Sequence, residues 1–574
     1  MELSDKFAFV KSITPLQILV AVLPFITGMF YEWQTALLTI ALAVILVLEM
    51  IKRKKDADAV LTKSKNKKNR FKAATTEIEI GLPFIFAAVV VLFHIFAMIW
   101  AVDRGMALMG VVKYLPLPMF VLAANREDDV LKLIPVSGVL MTIVSVALSG
   151  IDIFKGHLIV SGRIGGFFEY PNTYAMFLLV CLIIVLFKEK IRVVDWVFAA
   201  VFGAGIALSG SRTVLVLTAL TGIVFIIWVK DKKIKFICLA AFVLAAVGAG
   251  VFLSHKLTSL TNFSTFYGRF LYFADALPVI LKHPLGLGYY GYYYTQGSFQ
   301  SGVYSIVHIH NDLLQILLDI GWIPALLGIF MVVKAFIKAE FKYKLIMIML
   351  VLHMLFDFDM QFISMSVIFL AIAVKSSGTR KIELSPKAAL ASQSVISLAL
   401  AGFAGYLGMA SFFNYINDFE TAVSIYPMYT EAQKMLLVNA QTDEEMNRIA
   451  DSILSHNPNY ALANSAKARV AFSSGDIVSM IDYKDKAIRA NRYSLEEYLD
   501  YISMLEYSIS MYVQIEDYQS AEYCIDTCLS TVKYMNSVKS GTSKLGYMID
   551  DKPQLDLPAE YQDYIRTLEN LKSA

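Results

Sequence analysis

His308-Ile-His310-Asn311-Asp312 runs straight into Leu313-Leu-Gln-Ile-Leu-Leu-Asp-Ile-Gly-Trp-Ile-Pro-Ala-Leu-Leu-Gly-Ile-Phe-Met-Val-Val333. The second stretch is apolar over the length that crosses a bilayer, about 20 residues. The first closes a long polar segment and sets two imidazoles and an amide at the mouth of that span. Polar groups are costly to hold at such a place. Histidine is also the side chain best suited to moving a proton near neutral pH.

Working outward, the same apolar pattern recurs along most of the chain. Of 574 residues, 57% are hydrophobic and 17% charged, and the mean hydropathy is +0.58. A water-soluble protein has no use for that much apolar surface. Thirteen runs read as spans, at about 15–31, 33–51, 80–100, 105–124, 131–150, 171–187, 193–210, 213–229, 234–253, 311–333, 344–356, 361–374 and 388–409. The eleventh and twelfth are short. The first has no small-residue cleavage site and is followed directly by another span, so it reads as an anchor. The fold expected is an all-α polytopic membrane bundle of 12–13 spans over residues 1–410, with a soluble helical domain at 411–574.

Charge orients the bundle. Lys52, Arg53, Lys54, Lys55, Lys63, Lys65, Lys67, Lys68, Arg70 and Lys72 crowd one loop. Every second connection after it is basic too, as at Lys188/Lys190/Arg192, Lys230/Lys232/Lys233/Lys235, Lys334/Lys338/Lys342/Lys344 and Lys375/Arg380/Lys381/Lys387. The positive-inside rule makes these cytoplasmic, together with the N-terminus. Arg163, Arg212, Arg269, the two histidines and the whole tail then fall on the outer face of the plasma membrane. Nucleotide sugars are absent there, so a donor must arrive already activated on a lipid.

The tail carries 14 Lys/Arg against 24 Asp/Glu, a balance of −10. Asn457–Phe472, Gly475-Asp476 and Tyr483–Ala490 read as helix–turn–helix, with Ala461, Ala463, Ala466, Ala468 and Ala471 allowing close pairing. The segment looks like a tetratricopeptide unit, and Tyr518 could begin another. A small helical domain without regular repeats is the alternative. Cys181 and Cys238 sit in apolar spans, while Cys524 and Cys528 lack partners at metal-ligand spacing.

The polar features of the outer face follow an order: Gly162-Arg-Ile-Gly-Gly-Phe-Phe-Glu-Tyr-Pro-Asn172, Ser209-Gly-Ser-Arg212-Thr213, the long 254–310 loop with Tyr267-Gly-Arg269 and His283-Pro-Leu-Gly-Leu-Gly288, then His308–Gln315 and Gly321. Over about 80–375 this order resembles the O-antigen ligase and polymerase superfamily of bacterial envelope glycan enzymes. The resemblance implies a glycosyltransferase that moves a glycan from undecaprenyl diphosphate to a hydroxyl, with inversion and without metal or other cofactor. It further implies Arg212 and Arg269 on the diphosphate, with His310 assisting the acceptor. The residue types suit those tasks, since guanidinium pairs phosphate oxygens in a planar fork and imidazole accepts a hydroxyl proton.

Other readings stand beside these. Arg212 also suits an interfacial anchor and Arg269 a loop surface; Arg163 is either a third phosphate contact or a loop residue. One histidine is expected to be structural, with His308 the alternative to His310. Asn311 either caps the following helix or touches sugar. Tyr289-Tyr290-Gly-Tyr292-Tyr293-Tyr294 offers rings, Tyr290 and Tyr293 among them, for sugar stacking or for a membrane-interface belt. Gly286 and Gly288 read as backbone turns, and Pro171-Asn172 as the turn into the sixth span. Asp357-Phe-Asp359 has the form of a nucleotide-sugar metal motif but falls on the wrong face for that chemistry, and is set aside. His94, Lys113 and His353 lie in spans without an assigned role.

Expected partners are the undecaprenyl-diphosphate-linked glycan, a glycan, lipid, wall or protein hydroxyl acceptor, membrane lipid, and a protein partner for the tail; no nucleic acid is expected. The rivals are a lipid-linked oligosaccharide flippase and a non-catalytic scaffold. A peptidoglycan polymerase using Asp275, Asp312 or Asp319 is closer in chemistry. A flippase should show symmetry between halves, whereas the charged constellation here gathers at one face.

Overall fold

The computed structural model describes residues 13–63, 75–240 and 263–573. Lys65–Lys72 of the first basic loop, the far half of the 234–253 span and the first residues of the 254–310 loop lie outside these.

Hydrocarbon offers the backbone no hydrogen-bond partner, so apolar runs of this kind close their bonds internally as helices. The first half of the chain forms α1 (Pro15–Val22), α2 (Glu32–Lys63), α3 (Leu82–Ala97), α4 (Arg104–Tyr114), α5 (Pro116–Ala124), α6 (Ile134–Leu148), α7 (Asp152–Leu158), α8 (Pro171–Leu186), α9 (Val193–Ser209) and α10 (Arg212–Trp228). After the undescribed stretch come α11 (Ser264–Lys282), α12 (Gly291–Phe299), α13 (Asp312–Ile320), α14 (Trp322–Lys338), α15 (Phe341–Met354), α16 (Ile363–Lys375) and α17 (Pro386–Tyr415). Among the described residues three helices are long and apolar enough to cross a membrane by length and composition: Glu32–Val60, Arg104–Ala124 (α4 and α5 together) and α17. Many of the other expected spans are shorter apolar helices. Among the described residues strands are few. β1 (Thr76–Gly81) pairs antiparallel with β4 (Thr379–Leu384), from Thr76 opposite Leu384 to Gly81 opposite Thr379, and β2 (Ile159–Val160) pairs with β3 (Arg163–Ile164).

Small residues set the closest helix contacts, as expected where backbones approach in lipid. A Cβ on Gly408 of α17 would meet the Ala36 side chain of α2 at 2.4 Å, and one on Gly205 of α9 would meet Leu178 of α8 at 2.4 Å. The last span therefore lies flush along α2, and it continues unbroken to Tyr415, past the expected boundary at 410.

The run after the His motif is not one helix. Gly321 adopts φ +80° and separates buried α13 from α14. A Cβ there would stand 2.2 Å from the Pro284 carbonyl oxygen, so only glycine fits. The His283–Gly288 segment threads this break: Leu287 and Gly288 donate their amides to the Leu318 and Asp319 carbonyls (2.6 and 2.9 Å) and close the end of α13.

The tail is helical throughout: α18 (Phe419–Ile425), α19 (Thr430–Asn439), α20 (Asp443–His456), α21 (Ala461–Ser473), α22 (Ile477–Ala490), α23 (Leu495–Gln514), α24 (Tyr518–Ser540) and α25 (Ala559–Ser573). The expected helix–turn–helix is α21 and α22, with Ala463 and Ala468 fully buried, and Tyr518 does begin a helix. The tail docks on the membrane domain through a buried carboxylate. Asp103 caps α4 through the Met106 amide (2.8 Å) and also accepts from Thr430 Oγ1 (2.6 Å) and Asn457 Nδ2 (3.0 Å).

The tyrosine run belongs to this junction. Tyr289 and Tyr292 are 1% exposed and Tyr294 8%. Tyr289 donates to Glu32 and Tyr294 to Glu431, and the Tyr294 ring packs on Tyr460. Neither expected role, sugar platform or membrane belt, describes these three rings, because each is folded inward: Tyr289 against α2, Tyr294 against the tail, and Tyr292 against Tyr304 and Phe299.

Candidate active site

The polar features singled out in the sequence converge on a residue that was set aside. Asp357 sits in the turn between α15 and α16, its side chain 2% exposed. Tyr170, just before α8, donates its hydroxyl to Asp357 Oδ1 (2.7 Å), and Asn172 Nδ2 donates to Oδ2 (2.8 Å). Arg269 of α11 reaches Oδ2 at 3.4 Å, and the Phe358 amide donates to Oδ1 (3.0 Å). His310 Nδ1 lies 3.5 Å from Oδ1, longer than a formed hydrogen bond. Three distant segments thus meet on one carboxylate. Burial by itself would raise the Asp357 carboxyl. The His310 contact and the charges of His353, His310 and Arg269 outweigh it and hold the group well below the usual carboxylate range.

The turn that carries Asp357 is itself anchored. Asp359 accepts from Thr173 Oγ1 (2.7 Å) and pairs with His353 Nδ1. Asp312, the first residue of α13, takes the Met360 amide (3.1 and 3.2 Å). Phe358 lies between the two histidines, 5.0 Å from the His310 ring and 5.7 Å from the His308 ring, centroid to centroid.

Arg163, in β3, belongs to the same network. Its Nη2 donates to Asn172 Oδ1 and its Nε to the Ser209 carbonyl, both at 2.7 Å. Burial lowers its guanidinium, and the nearby charges of Arg212 and Arg269 lower it further. Three arginines therefore share one neighbourhood. Arg212 is exposed at the first position of α10, and the hydroxyl of Ser211 before it is buried with no hydrogen-bond partner. Helix starts present free amides and a positive dipole end, a ready place for an anion.

The two histidines differ in setting. The His310 side chain is 22% exposed. His308 is buried among the Phe30, Tyr290 and Phe358 rings, its Nδ1 unpaired. Burial first, then the charges of Lys113 and His310, push its imidazole down to about 3.

Other expected contacts lie elsewhere. Asn311 uses its whole carboxamide in the fold: Oδ1 caps α13 at the Leu314 amide and Nδ2 donates to the Leu355 carbonyl (3.0 Å each). Tyr290 packs on His308, and the Tyr293 ring faces Lys434 of the tail at 5.9 Å. Asp275 takes Ser301 and Tyr304, and Asp319 takes Gln315. Among the described residues no group of three or more His, Cys, Asp or Glu is arranged to hold a metal ion. Sequence reasoning missed Asp357, Tyr170 and Asn172. The available signal was a lone acidic pair in an apolar surround, where an ionisable group defaults to a functional suspect.

Residues 196–330 match the family model described as O-antigen ligase. This chain carries an O-antigen ligase domain. The matched interval contains Arg212, Arg269, His308 and His310, while Arg163, Tyr170, Asn172 and Asp357 reach them from outside it. No curated protein and no solved structure matches the chain. The match and the apolar helices support a membrane-embedded enzyme of the O-antigen ligase/polymerase type.

Proposed function

We propose that this O-antigen ligase-type protein transfers a glycan from undecaprenyl diphosphate to a hydroxyl acceptor at the outer face, by one inverting displacement. The observation that carries this reading is the meeting of Arg269 and His310 on Asp357, with Arg163 joined through Asn172.

Arg212 and Arg269, with the amide end of α10 and Ser211, would bind the diphosphate, and Arg163 would add charge behind them. His310 would turn Nδ1 to Asp357 and leave Nε2 for the acceptor. The acceptor O–H proton passes to Nε2 as its oxygen attacks the anomeric carbon. The bond from that carbon to the diphosphate oxygen breaks, and undecaprenyl diphosphate leaves with its charge held by the arginines. A carboxylate held so far below its usual range is a weak base, so Asp357 suits orienting the imidazole better than taking the proton. His308, buried and neutral, suits shaping the floor. In that arrangement Asp357 is a positioning residue and His310 the catalytic one.

The test is the profile of undecaprenyl-linked glycans in cells carrying His310→Ala. Single repeat units accumulating on the lipid would make the enzyme a polymerase. Long chains retained on the lipid would make it a ligase or protein transferase. An unchanged profile, with the variant at normal level, would remove the catalytic assignment and favour the scaffold.

A further inference from the structure

The 254–310 stretch reads in sequence as a polar loop, yet α11 within it carries a surface unlike that of a helix in water. Its inward face, Gly268, Leu271, Ala276, Val279 and Ile280, is buried. On its outward face every exposed side chain from Phe266 to Leu281 is apolar: Phe266, Phe270, Ala274, Leu277, Pro278 and Leu281. Phe266, Phe270, Leu277 and Leu281 are 47, 40, 53 and 65% exposed. At 100° per residue these positions fall on one stripe, the pattern of a helix with two apolar sides. A contiguous patch of this kind marks an interaction surface.

Its neighbours name the partner. The stripe runs on through Leu285, 42% exposed, to Trp322, Ile323 and Leu326 on the outer side of α14. The junction is tied by backbone: Trp322 donates its amide to the Pro284 carbonyl (3.0 Å), and Trp100 Nε1 donates to the Leu285 carbonyl (3.3 Å). Two tryptophans beside an apolar surface, one with its indole N–H bonded and the other tied by its backbone amide, are the signature of a membrane–water interface. The α11 stripe is thus continuous with the lipid-facing surface of a bundle helix.

We propose that α11 is an interfacial helix, lying in the leaflet at the site end of the bundle with its Phe266/Phe270/Leu277/Leu281 face in lipid. The partner surface is bilayer lipid, and the seating stands whether or not Arg269 grips a phosphate. Arg269, on the flank of that stripe, is thereby held near headgroup depth.

Nitroxide scanning of the full-length protein in phosphatidylethanolamine/phosphatidylglycerol vesicles tests this. Single cysteines are placed from Phe266 to His283 in a Cys238→Ala background, the other native cysteines being buried. Oxygen accessibility should exceed that of a water-soluble nickel chelate severalfold at 266, 270, 274, 277 and 281, with the ratio inverting at 282 and 283. Nickel access dominating at 270, 274 and 277 would place the helix in water and overturn the proposal. Exclusion of both reagents there would mean a protein cover and overturn it equally. The Ala274 label, a small site on the same stripe, guards against disturbance by the aromatic replacements.

Discussion

Two buried carboxylates organise this molecule, and they do so differently. Asp357 gathers an arginine, a histidine, a tyrosine and an asparagine from distant segments, and cationic neighbours keep it ionised. Asp103 gathers neutral partners, a backbone amide, Thr430 and Asn457, with His456 behind Thr430, and burial raises its carboxyl. The first sits beside a partly open histidine and an exposed arginine. The second is sealed between a helix start and the tail. Burial alone does not separate a site from a joint; the charge of the partners and the access beside them do.

That contrast can be broken. The largest effect is expected at the base: His310→Ala should lower the transfer rate by about 10²–10⁴-fold at unchanged protein level, measured with purified lipid-linked donor in vesicles. Arg212→Lys should recover only part of what Arg212→Ala loses, since charge returns without the fork. Full activity in Arg212→Ala and Arg269→Ala together would end the diphosphate assignment.

Asp103→Ala should leave the chemistry intact and weaken the joint instead. Removing the shared acceptor strands buried donors at a cost of about 1–3 kcal/mol, read as faster proteolytic release of the tail and a lower melting temperature. Asn311→Ala should cost about 0.5–2 kcal/mol as a lost helix cap with little change in transfer. A large activity loss at unchanged stability would return Asn311 to the substrate.

The smallest effect is in pH. The folded Asp357 carboxyl titrates below its unfolded value, so its stabilisation is whole above about pH 4 and is lost as pH falls through the folded value. Asp357→Asn should flatten that acid limb of the melting curve; Asp103→Asn, whose folded carboxyl is raised, should not.

Much of this was legible in sequence because hydrophobic runs and alternating basic loops are local signals. The apolar helices and the helical tail follow from them. Gly321 was quoted but its helix break was not, since the reason for it, the Pro284 carbonyl, is distant in sequence. The α11 stripe went unread because its phenylalanines are diluted among Tyr267, Arg269 and Asp275. Asp357 was set aside because its spacing to Asp359 suggested metal, while its partners come from three remote segments that only folding assembles. The tyrosine run failed for a related reason: Tyr289 and Tyr294 answer to Glu32 and Glu431, over a hundred positions away.

The central claim is that Asp357 acts through His310. A double-mutant cycle on turnover at saturating lipid-linked donor tests it most directly, comparing Asp357→Asn and His310→Ala singly and together. Both single variants should be impaired, and the double variant should be no slower than His310→Ala alone. Losses that multiply, or an Asp357→Asn enzyme with wild-type turnover, would contradict the account.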